Sequence, residues 1–315
     1  MEKILKSGWG VNRWFVLLFA VLGFFAARAY PPVLPHIQLP PEVTAHFGNF
    51  AWTNTMTAMV IGDVILLLIA LLVRRAAKSG KLVPSGFSGA VEALMEVIYN
   101  LTESTAGRWA KSIFPFFAAI TLLVLVSNWI ELVPGVDSIG LIEVAHEGGH
   151  AVEQVSPGVV TIVREEGEFA LIPYVRVLST DLNFTVALAL TSVFMTQVFG
   201  VRALGLRYFE KFINVRGIFT RPIFGLIDFA VGLLELISEF SKILSFSFRL
   251  FGNIFAGSVL LFVIGTLIPV FAQSGFLLLE FFVGLIQAFV FGMLTMVFMS
   301  QAVAGHGEHA EEHGH

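Results

Sequence analysis

Residues 223–264 read IFGLIDFAVGLLELISEFSKILSFSFRLFGNIFAGSVLLFVI, and a second apolar run follows at 268–304. As α-helices rising about 1.5 Å per residue, the two runs would extend roughly 60 and 50 Å, well beyond a bilayer core of about 30 Å. Each run is therefore either a helical hairpin or one steeply tilted helix. Residues 239–248, at the centre of the first run, contain no Gly, Pro or Asn on which a hairpin could turn. We predict two long, tilted, antiparallel helices joined near Pro269.

Three more segments are long enough to cross a bilayer as helices, which takes about 20 apolar residues. They lie near 52–73, 113–133 and 182–204. A shorter apolar segment at 14–27 follows basic residues and ends in small ones, so it is either a signal peptide or a short first membrane helix. Charged residues are interspersed among apolar ones through 85–110, which predicts an amphipathic helix at the membrane interface.

The composition agrees with a membrane protein. Hydrophobic residues make up 56% of the chain, charged residues 13%, and the mean hydropathy is +0.83. Soluble domains carry about twice that share of charge, so lipid must cover much of this surface. The expected fold class is all-α, a polytopic membrane protein with five to six membrane helices. The absence of Cys excludes disulfides, thiolate metal sites and cysteine nucleophiles.

Basic residues cluster in alternate loops, and this predicts the orientation because loops rich in Lys and Arg stay in the cytoplasm. The loop 137–172 holds seven acidic residues and one basic residue, and it is expected outside. The C-terminus is then cytoplasmic. The basic residues of the expected cytoplasmic loops are Arg74, Arg75, Lys78, Lys81, Arg108, Lys111, Arg202, Arg207, Lys211, Arg216 and Arg221.

The chain divides into four regions on these grounds. Residues 1–30 hold the signal-like or first membrane segment, 31–51 form an outer loop, and 52–304 form the membrane domain. Residues 305–315 form a cytoplasmic tail rich in His and Glu, which is either simply solvated or able to bind metal. The predicted functional site contains no metal and no cofactor.

Polar residues of the run 223–264 fall on one helical face. At about 100° per residue, they all lie within roughly 40° of Arg249. A charge at mid-bilayer costs about 2.5–3.5 kcal/mol on insertion scales, so this face must meet water or a counter-charge. Buried ion pairs that only fix helix packing are the alternative interpretation. The face, called the polar stripe below, carries Glu235, Ser238, Lys242, Ser245, Arg249 and Asn253.

Arg249 differs from the other residues of the polar stripe because its guanidinium stays protonated even when it is desolvated. It therefore cannot relay protons itself. It can hold a neighbouring carboxylate ionised, and it can keep two water-filled paths from joining. A lysine at this position could lose its proton and both of these properties.

The second long run carries Glu280 and Gln287 one heptad apart, and so on the same face. Gly284, Ala288 and Gly292 form a row of small residues beside them, which usually indicates close helix packing and nothing more. We interpret Glu280 functionally because it is a carboxylate at the outer end of a membrane helix. Four other polar residues lie at outer helix ends, namely Asn128, Glu131, Asp181 and Asn183.

The stretch 245–257, SFSFRLFGNIFAG, closely resembles the signature of subunit a of F-type ATP synthases. Pro115 with 127–128 and 132–135 resembles an earlier motif of that family. TDLN at 180–183 resembles the start of its next helix, and QAFVF at 287–291 with LT at 294–295 resembles its final helix. The resemblance covers roughly residues 50–303.

The resemblance implies a stator subunit of the F0 sector beside a rotating ring of c subunits, each with one membrane carboxylate. Two offset aqueous half-channels would carry protons to and from the ring, and Arg249 matches the essential arginine between them. The other implied partners are the peripheral-stalk subunit b, the remaining ATP synthase subunits and membrane lipid. A bacterial-type plasma membrane is expected, whereas nucleic acid and a nucleotide site in this chain are not.

The resemblance and the predicted orientation together distribute the other site residues. Glu235 lies nearer the cytoplasm and is placed in the inner half-channel, and Ser238 and Ser245 match stripe residues before the arginine. The family often has a carboxylate or histidine where this chain has Ser258, so Glu280 is expected to act without a second carrier there. Asp181 is expected on the proton pathway. The outer half-channel is expected to contain Asn253, Glu280, Gln287, Asn128 and Glu131.

Two rival classes are a secondary transporter or channel with its own substrate site and a purely structural scaffold. The sequence contains no G-x-x-x-x-G-K-[ST] loop, metal triad or nucleophile elbow. It also lacks the internal repeats that transporters often show. A scaffold would not require the polar stripe around Arg249.

Overall fold

The computed structural model of the chain describes residues 14–15, 17–19, 21–25, 38–78, 86–133, 135–144, 149–156, 159–212, 222–267 and 271–304. The described residues among 14–25 are helical. In the described part of the chain, six longer helices follow, which we number α1 to α6. They are α1 Asn54–Lys78, α2 Phe87–Ala106, α3 Ala110–Trp129, α4 Leu182–Leu204, α5 Pro222–Leu267 and α6 Phe271–Ala304.

The described part of the chain contains five helical segments that are long and apolar enough to cross a membrane. They are Asn54–Ala76, Phe87–Leu132, Leu182–Leu204, Phe229–Leu267 and Ala272–Ala304. The predicted polytopic helical fold is therefore confirmed. α1 exposes most of its apolar side chains, Leu67 and Leu68 among them, because lipid takes the place of a protein core on that surface.

The two long runs are single helices rather than hairpins. α5 has 46 residues and α6 has 34, and neither is interrupted. They run antiparallel, because later residues of α5 contact earlier residues of α6. A Cβ added at Gly265 would lie 3.3 Å from the Gln273 amide, and one added at Gly257 would overlap the Glu280 carboxyl group. Pro269 lies outside the described residues, and the tilt of the two helices stays a prediction.

The segment predicted as an interfacial helix, 85–110, is α2 followed by a 3₁₀ turn, Gly107–Trp109. α2 buries Ile98, Thr102 and Ala106. Its position at a membrane interface stays a prediction, but its burial shows that one face packs on protein.

The all-α prediction missed the strands between the helices. β1 Val43–Phe47 and β2 Phe50–Thr53 form a hairpin before α1, so α1 begins at Asn54 rather than near residue 52. The predicted outer loop 137–172 folds into an antiparallel sheet with strand order β3-β6-β4-β5. Its strands are β3 Gly140–Val144, β4 His150–Ser156, β5 Val159–Glu166 and β6 Phe169–Pro173.

The chain divides into two compact units, and the first contains the described residues of 1–54, 131–176 and 255–283. It holds both small sheets, the last part of α5 and the first part of α6. β3 pairs with β6 over five residues, so the two ends of the 137–172 segment meet.

The second unit contains the described residues of 55–130, 177–254 and 284–315. Its core includes Ile113, Phe117, Phe199, Met296 and Met299 from α3, α4 and α6. The row of small residues on α6 serves this packing, as predicted. A Cβ added at Gly292 would overlap the Thr121 hydroxyl and the Phe117 ring, and Ala288 is fully buried.

Candidate functional site

The polar stripe of α5 is open at its central residues. Arg249 is exposed and its Nη2 donates a hydrogen bond to Ser245 Oγ at 3.2 Å, which confirms that the two residues share a face. Ser238 and Asn253 are exposed as well. Among the described residues, no carboxylate lies within ion-pair distance of the Arg249 guanidinium. The stripe therefore presents a permanent positive charge with no partner on this chain's described surface.

Further towards the start of α5, the charges are paired. Lys211 Nζ lies 3.4 Å from Glu235 Oε1 and 3.2 Å from Glu239 Oε1. Lys242 Nζ lies 3.0 Å from the same Glu239 oxygen. We call these four residues the lysine–glutamate cluster. Its two ammonium groups and two carboxylates compensate one another, so its formal charge is zero.

The turn that carries Lys211 is packed tightly in place. The 3₁₀ helix Gly205–Lys211 follows α4, and a Cβ added at Gly200 would overlap the Tyr208 ring. A Cβ at Gly232 would likewise overlap the Phe212 carbonyl oxygen. Glycine is required at both positions because other elements approach the helix backbone closely.

Aromatic groups on this turn keep Lys211 charged. Its Nζ lies 4.6 Å from the centre of the Tyr208 ring and 4.5 Å from that of Phe212. Burial favours a lower pKa for Lys211, but its contacts with Tyr208 and Glu239 outweigh burial and raise the pKa. Burial also raises the pKa of the Tyr208 hydroxyl, which donates to Gln197 Oε1 at 2.8 Å. The turn therefore holds a stable cation beside the start of α5.

A cavity of about 250 Å³ adjoins the lysine–glutamate cluster. Glu239 is only 6% exposed, and its Oε2 has no hydrogen-bond partner among the described residues. A polar space of this size can hold water, and water can satisfy that oxygen. The lining consists of Thr196, Leu204, Arg207, Tyr208, Glu210, Lys211, Glu239, Lys242, Phe298, Gln301 and Ala302.

A second group of acidic residues lies in the first unit. Glu131, Ser258 and Glu280 are all buried, and Ser258 is hydrogen-bonded to the Glu131 side chain. We call these three residues the carboxyl cluster. Glu131 Oε2 and Glu280 Oε1 have no hydrogen-bond partner among the described residues. Neither carboxyl group forms an ion pair in the described part of the chain.

The backbone of α5 makes room for the Glu280 side chain at Gly257. A Cβ added there would overlap both carboxyl oxygens of Glu280. A bulkier residue at 257 would displace the carboxyl group, so this glycine sets its position. Ser258, next to Gly257 in the chain, is hydrogen-bonded to Glu131. The sequence analysis assigned no role to either of these contacts.

Asp137 lies near the carboxyl cluster but outside the membrane-spanning segments. Burial raises its pKa to about 6, and the nearby Arg176 guanidinium opposes that shift only in part. Arg176 also donates to the carbonyl oxygens of Gln38 at 2.6 Å and Pro40 at 3.1 Å. The Arg176 guanidinium thereby connects the segment before β1 with the region of Asp137, just before β3.

Asn128 and Asp181 occupy structural positions. Ser179 Oγ donates to Asn128 Oδ1 at 2.6 Å, and Asn128 Nδ2 donates to the Gly284 carbonyl at 3.1 Å. Asp181 accepts from the Asn183 backbone N–H at 2.9 Å, which caps the start of α4. It also accepts from Thr55 Oγ1 at 3.1 Å. These bonds connect α3 with α6 and α1 with α4.

The structure brings together some of the predicted site residues and leaves others apart. Glu131 joins Glu280, Arg249 joins Ser245, and Glu235 joins the lysine–glutamate cluster. Gln287 is half-buried. Prediction from sequence missed Glu239, because at about 100° per residue it lies roughly 80° away from Arg249, off the stripe. A signal was present, since Glu239 stands one helical turn after Glu235.

The fold and these charged groups define a polytopic helical membrane protein with ionisable residues inside its helices. Such residues are rare in membrane segments and mark the paths of ions.

Comparison with known proteins agrees with that class. The family described as ATP synthase A chain matches residues 55–300. ATP synthase subunit a 1 of Photobacterium profundum is 31% identical over 242 residues, which cover 73% of this chain and 80% of the relative. ATP synthase subunit a of Campylobacter fetus subsp. fetus is 30% identical over 260 residues, covering 81% and 92%. The chloroplastic subunit a of Stigeoclonium helveticum is 31% identical over 260 residues, covering 81% and 82%.

The chain therefore belongs to the ATP synthase A chain family, the proton-translocating subunit a of the F0 sector. It is a multi-pass membrane protein, and its family places it in the ATP synthase complex.

Proposed function

We propose that this chain is the stator that couples transmembrane proton flow to rotation of a c-subunit ring and so to ATP synthesis. The observation that carries the proposal is the exposed Arg249 guanidinium, which has no anionic partner among the described residues. A ring subunit with one membrane carboxylate supplies the missing anion. No nucleotide site is expected in this chain, because the complex makes ATP on other subunits.

Protons reach and leave the ring along two half-channels that do not meet. The carboxyl cluster, Glu131 with Ser258 and Glu280, lies in the outer half-channel, because two buried carboxyls that form no ion pair in the described part of the chain can exchange a proton. Asn253, Gln287 and Asn128 line the same path, and Asp181 stands at its edge as a helix cap. Glu235, Ser238 and Ser245 line the inner half-channel.

Arg249 separates the two half-channels. A ring carboxylate that arrives at the guanidinium is held ionised and releases its proton to one path. The same charge repels protons, so none passes without a turn of the ring. Each elementary charge that crosses is worth about 2.3 kcal/mol per 100 mV, which is lost if protons leak.

The proposal also includes topology and partners. The C-terminus is cytoplasmic, the membrane is a plasma membrane of bacterial type, and the peripheral-stalk subunit b holds the chain against the torque of the ring. The alternating basic loops and the acidic segment 137–172 support this orientation.

Arg249→Ala in the complete complex tests the function. We expect proton-driven ATP synthesis in vesicles to fall to background, while native gels show the assembled complex. Arg202→Ala is a matched control, because Arg202 is exposed in the last turn of α4 and lies off the stripe. Normal synthesis by the Arg249→Ala complex would refute the proposed function.

A further inference from the structure

The polar stripe carries a second cation close to Arg249. Lys242 precedes Arg249 by seven residues, so it lies about 20° away around the helix and about 10 Å along it. A free ammonium at that place would face the same partner surface as the guanidinium. At about 10 Å and an effective dielectric of about 20, the interaction of two unit charges corresponds to about a tenfold change in an equilibrium.

The structure turns the Lys242 ammonium away from the stripe. Its Nζ lies 3.0 Å from Glu239 Oε1 and 4.6 Å from the centre of the Phe298 ring on α6. The lysine side chain is 21% exposed, whereas Arg249 is exposed and bonded only to a serine hydroxyl among the described residues. The fold therefore pairs one cation of the stripe, Lys242, with a carboxylate and leaves the other, Arg249, exposed.

Glu239 is the residue on which this difference depends. Lys211 has two carboxylate partners, Glu235 and Glu239, and would keep one if Glu239 were lost. Lys242 forms its ion pair with Glu239 alone among the described residues. Glu239 is also buried, so its interaction with both ammonium groups is screened less than that of an exposed pair.

We infer that Glu239 is a positioning residue that neutralises Lys242 and so leaves Arg249 as the uncompensated cation of the polar stripe, the cation that a rotor carboxylate meets. This inference rests on the proposed function. Without Glu239, a ring carboxylate in the inner half-channel would be drawn to Lys242 as well as to Arg249. The ring carboxylate would then stay beside Lys242 part of the time, and proton release would slow.

A charge-pair rescue in the complete complex tests the inference. Glu239→Gln keeps the shape of the side chain and frees Lys242, so we expect about a tenfold loss of proton-driven ATP synthesis, the effect of one unit charge at that distance. Lys242→Gln alone measures the cost of losing the ammonium and sets the reference. The double variant, Glu239→Gln with Lys242→Gln, removes both charges and should keep synthesis within about twofold of that reference.

Each outcome bears on the inference. Recovery of synthesis in the double variant supports it when native gels show equal assembly of the single and double variants. Recovery that only follows regained assembly overturns it, because the ion pair then serves folding. Wild-type synthesis by Glu239→Gln overturns it, and so does a double variant as defective as the single one. If Arg249→Ala abolishes synthesis while Glu239→Gln does not alter it, only this inference fails. Normal synthesis by Arg249→Ala would remove the proposed function and this inference together.

Discussion

The lysine–glutamate cluster and the carboxyl cluster both bury acidic side chains within a helical membrane protein, but they balance their charges differently. Glu235 and Glu239 meet Lys211 and Lys242 at 3.0–3.4 Å. The charges of Glu131 and Glu280 act on each other, and Ser258 is hydrogen-bonded to Glu131. Neither carboxyl group forms an ion pair in the described part of the chain. The charges of the lysine–glutamate cluster compensate one another, whereas the carboxyl groups of the carboxyl cluster can be protonated.

Under the proposed function, this difference separates two tasks of a proton-driven stator. A carboxylate held by ammonium groups is a fixed charge, because releasing it from its partners leaves buried charges uncompensated. A carboxyl group that shares a buried site with another carboxyl can take up and give back a proton. We propose that the chain keeps fixed charges near the start of α5 and exchangeable ones near Gly257.

Among the tests of this comparison, the largest effect is expected from removing an exchangeable proton at the carboxyl cluster. Glu280→Gln should slow proton uptake into vesicles roughly 10- to 100-fold, at the lower end of what a positioned proton-transferring group contributes. Assembly on native gels should be unchanged. Glu153→Gln, on the exposed surface of β4, is the control. Unchanged proton flux in Glu280→Gln would remove the distinction between the two clusters.

A smaller effect is expected from moving the same carboxyl group without removing it. Gly257→Ala places a methyl group where the Glu280 oxygens lie, at a packing cost of about 1–3 kcal/mol, and we expect proton flux to fall several-fold. Gly275→Ala on α6 is the matched control, since a Cβ there meets nothing within 4 Å. Equal flux in the two variants would show that the position of Glu280 is not critical.

The smallest effect concerns Asp137, which is intermediate between the clusters because a cation is near it but burial dominates. Its pKa of about 6 exceeds its ordinary value of 3.8, so the folded state binds the proton more tightly than an opened one. The local stability from that proton is complete below about pH 4 and is lost as the pH rises through 6, by up to about 3 kcal/mol.

Amide hydrogen exchange of residues 135–144 in the purified complex measures this pH dependence. The protection of these amides should decrease between about pH 4 and 6 after correction for the intrinsic exchange rate. Asp137→Asn should abolish this slope. A variant with the wild-type slope would show that Asp137 does not titrate in that range.

Long apolar runs and helical periodicity predicted most of the fold correctly. The uninterrupted α5 and α6 follow from runs without a turn residue at their centres, and the shared face of Ser245 and Arg249 follows from their spacing. The sheet at 140–173 was missed because the acidic composition of that loop was given more weight than its strand-like segments. VVTIV at 159–163 is rich in β-branched residues, which is a strand signal.

Local pattern was sufficient wherever a residue's surroundings are set by its own helix. The membrane spans, the stripe on α5 and the permanent charge of Arg249 are properties of this kind, because apolar length, helical spacing and side-chain chemistry determine them. The pairing of charges, in contrast, is not set by a residue's own helix. Lys211 reaches Glu235 and Glu239 from 24 and 28 residues earlier, and Glu280 reaches the backbone at Gly257 from the neighbouring helix. Which cation is neutralised and which carboxyl stays free depends on distances between separate elements, because electrostatic energies fall with distance and rise with burial.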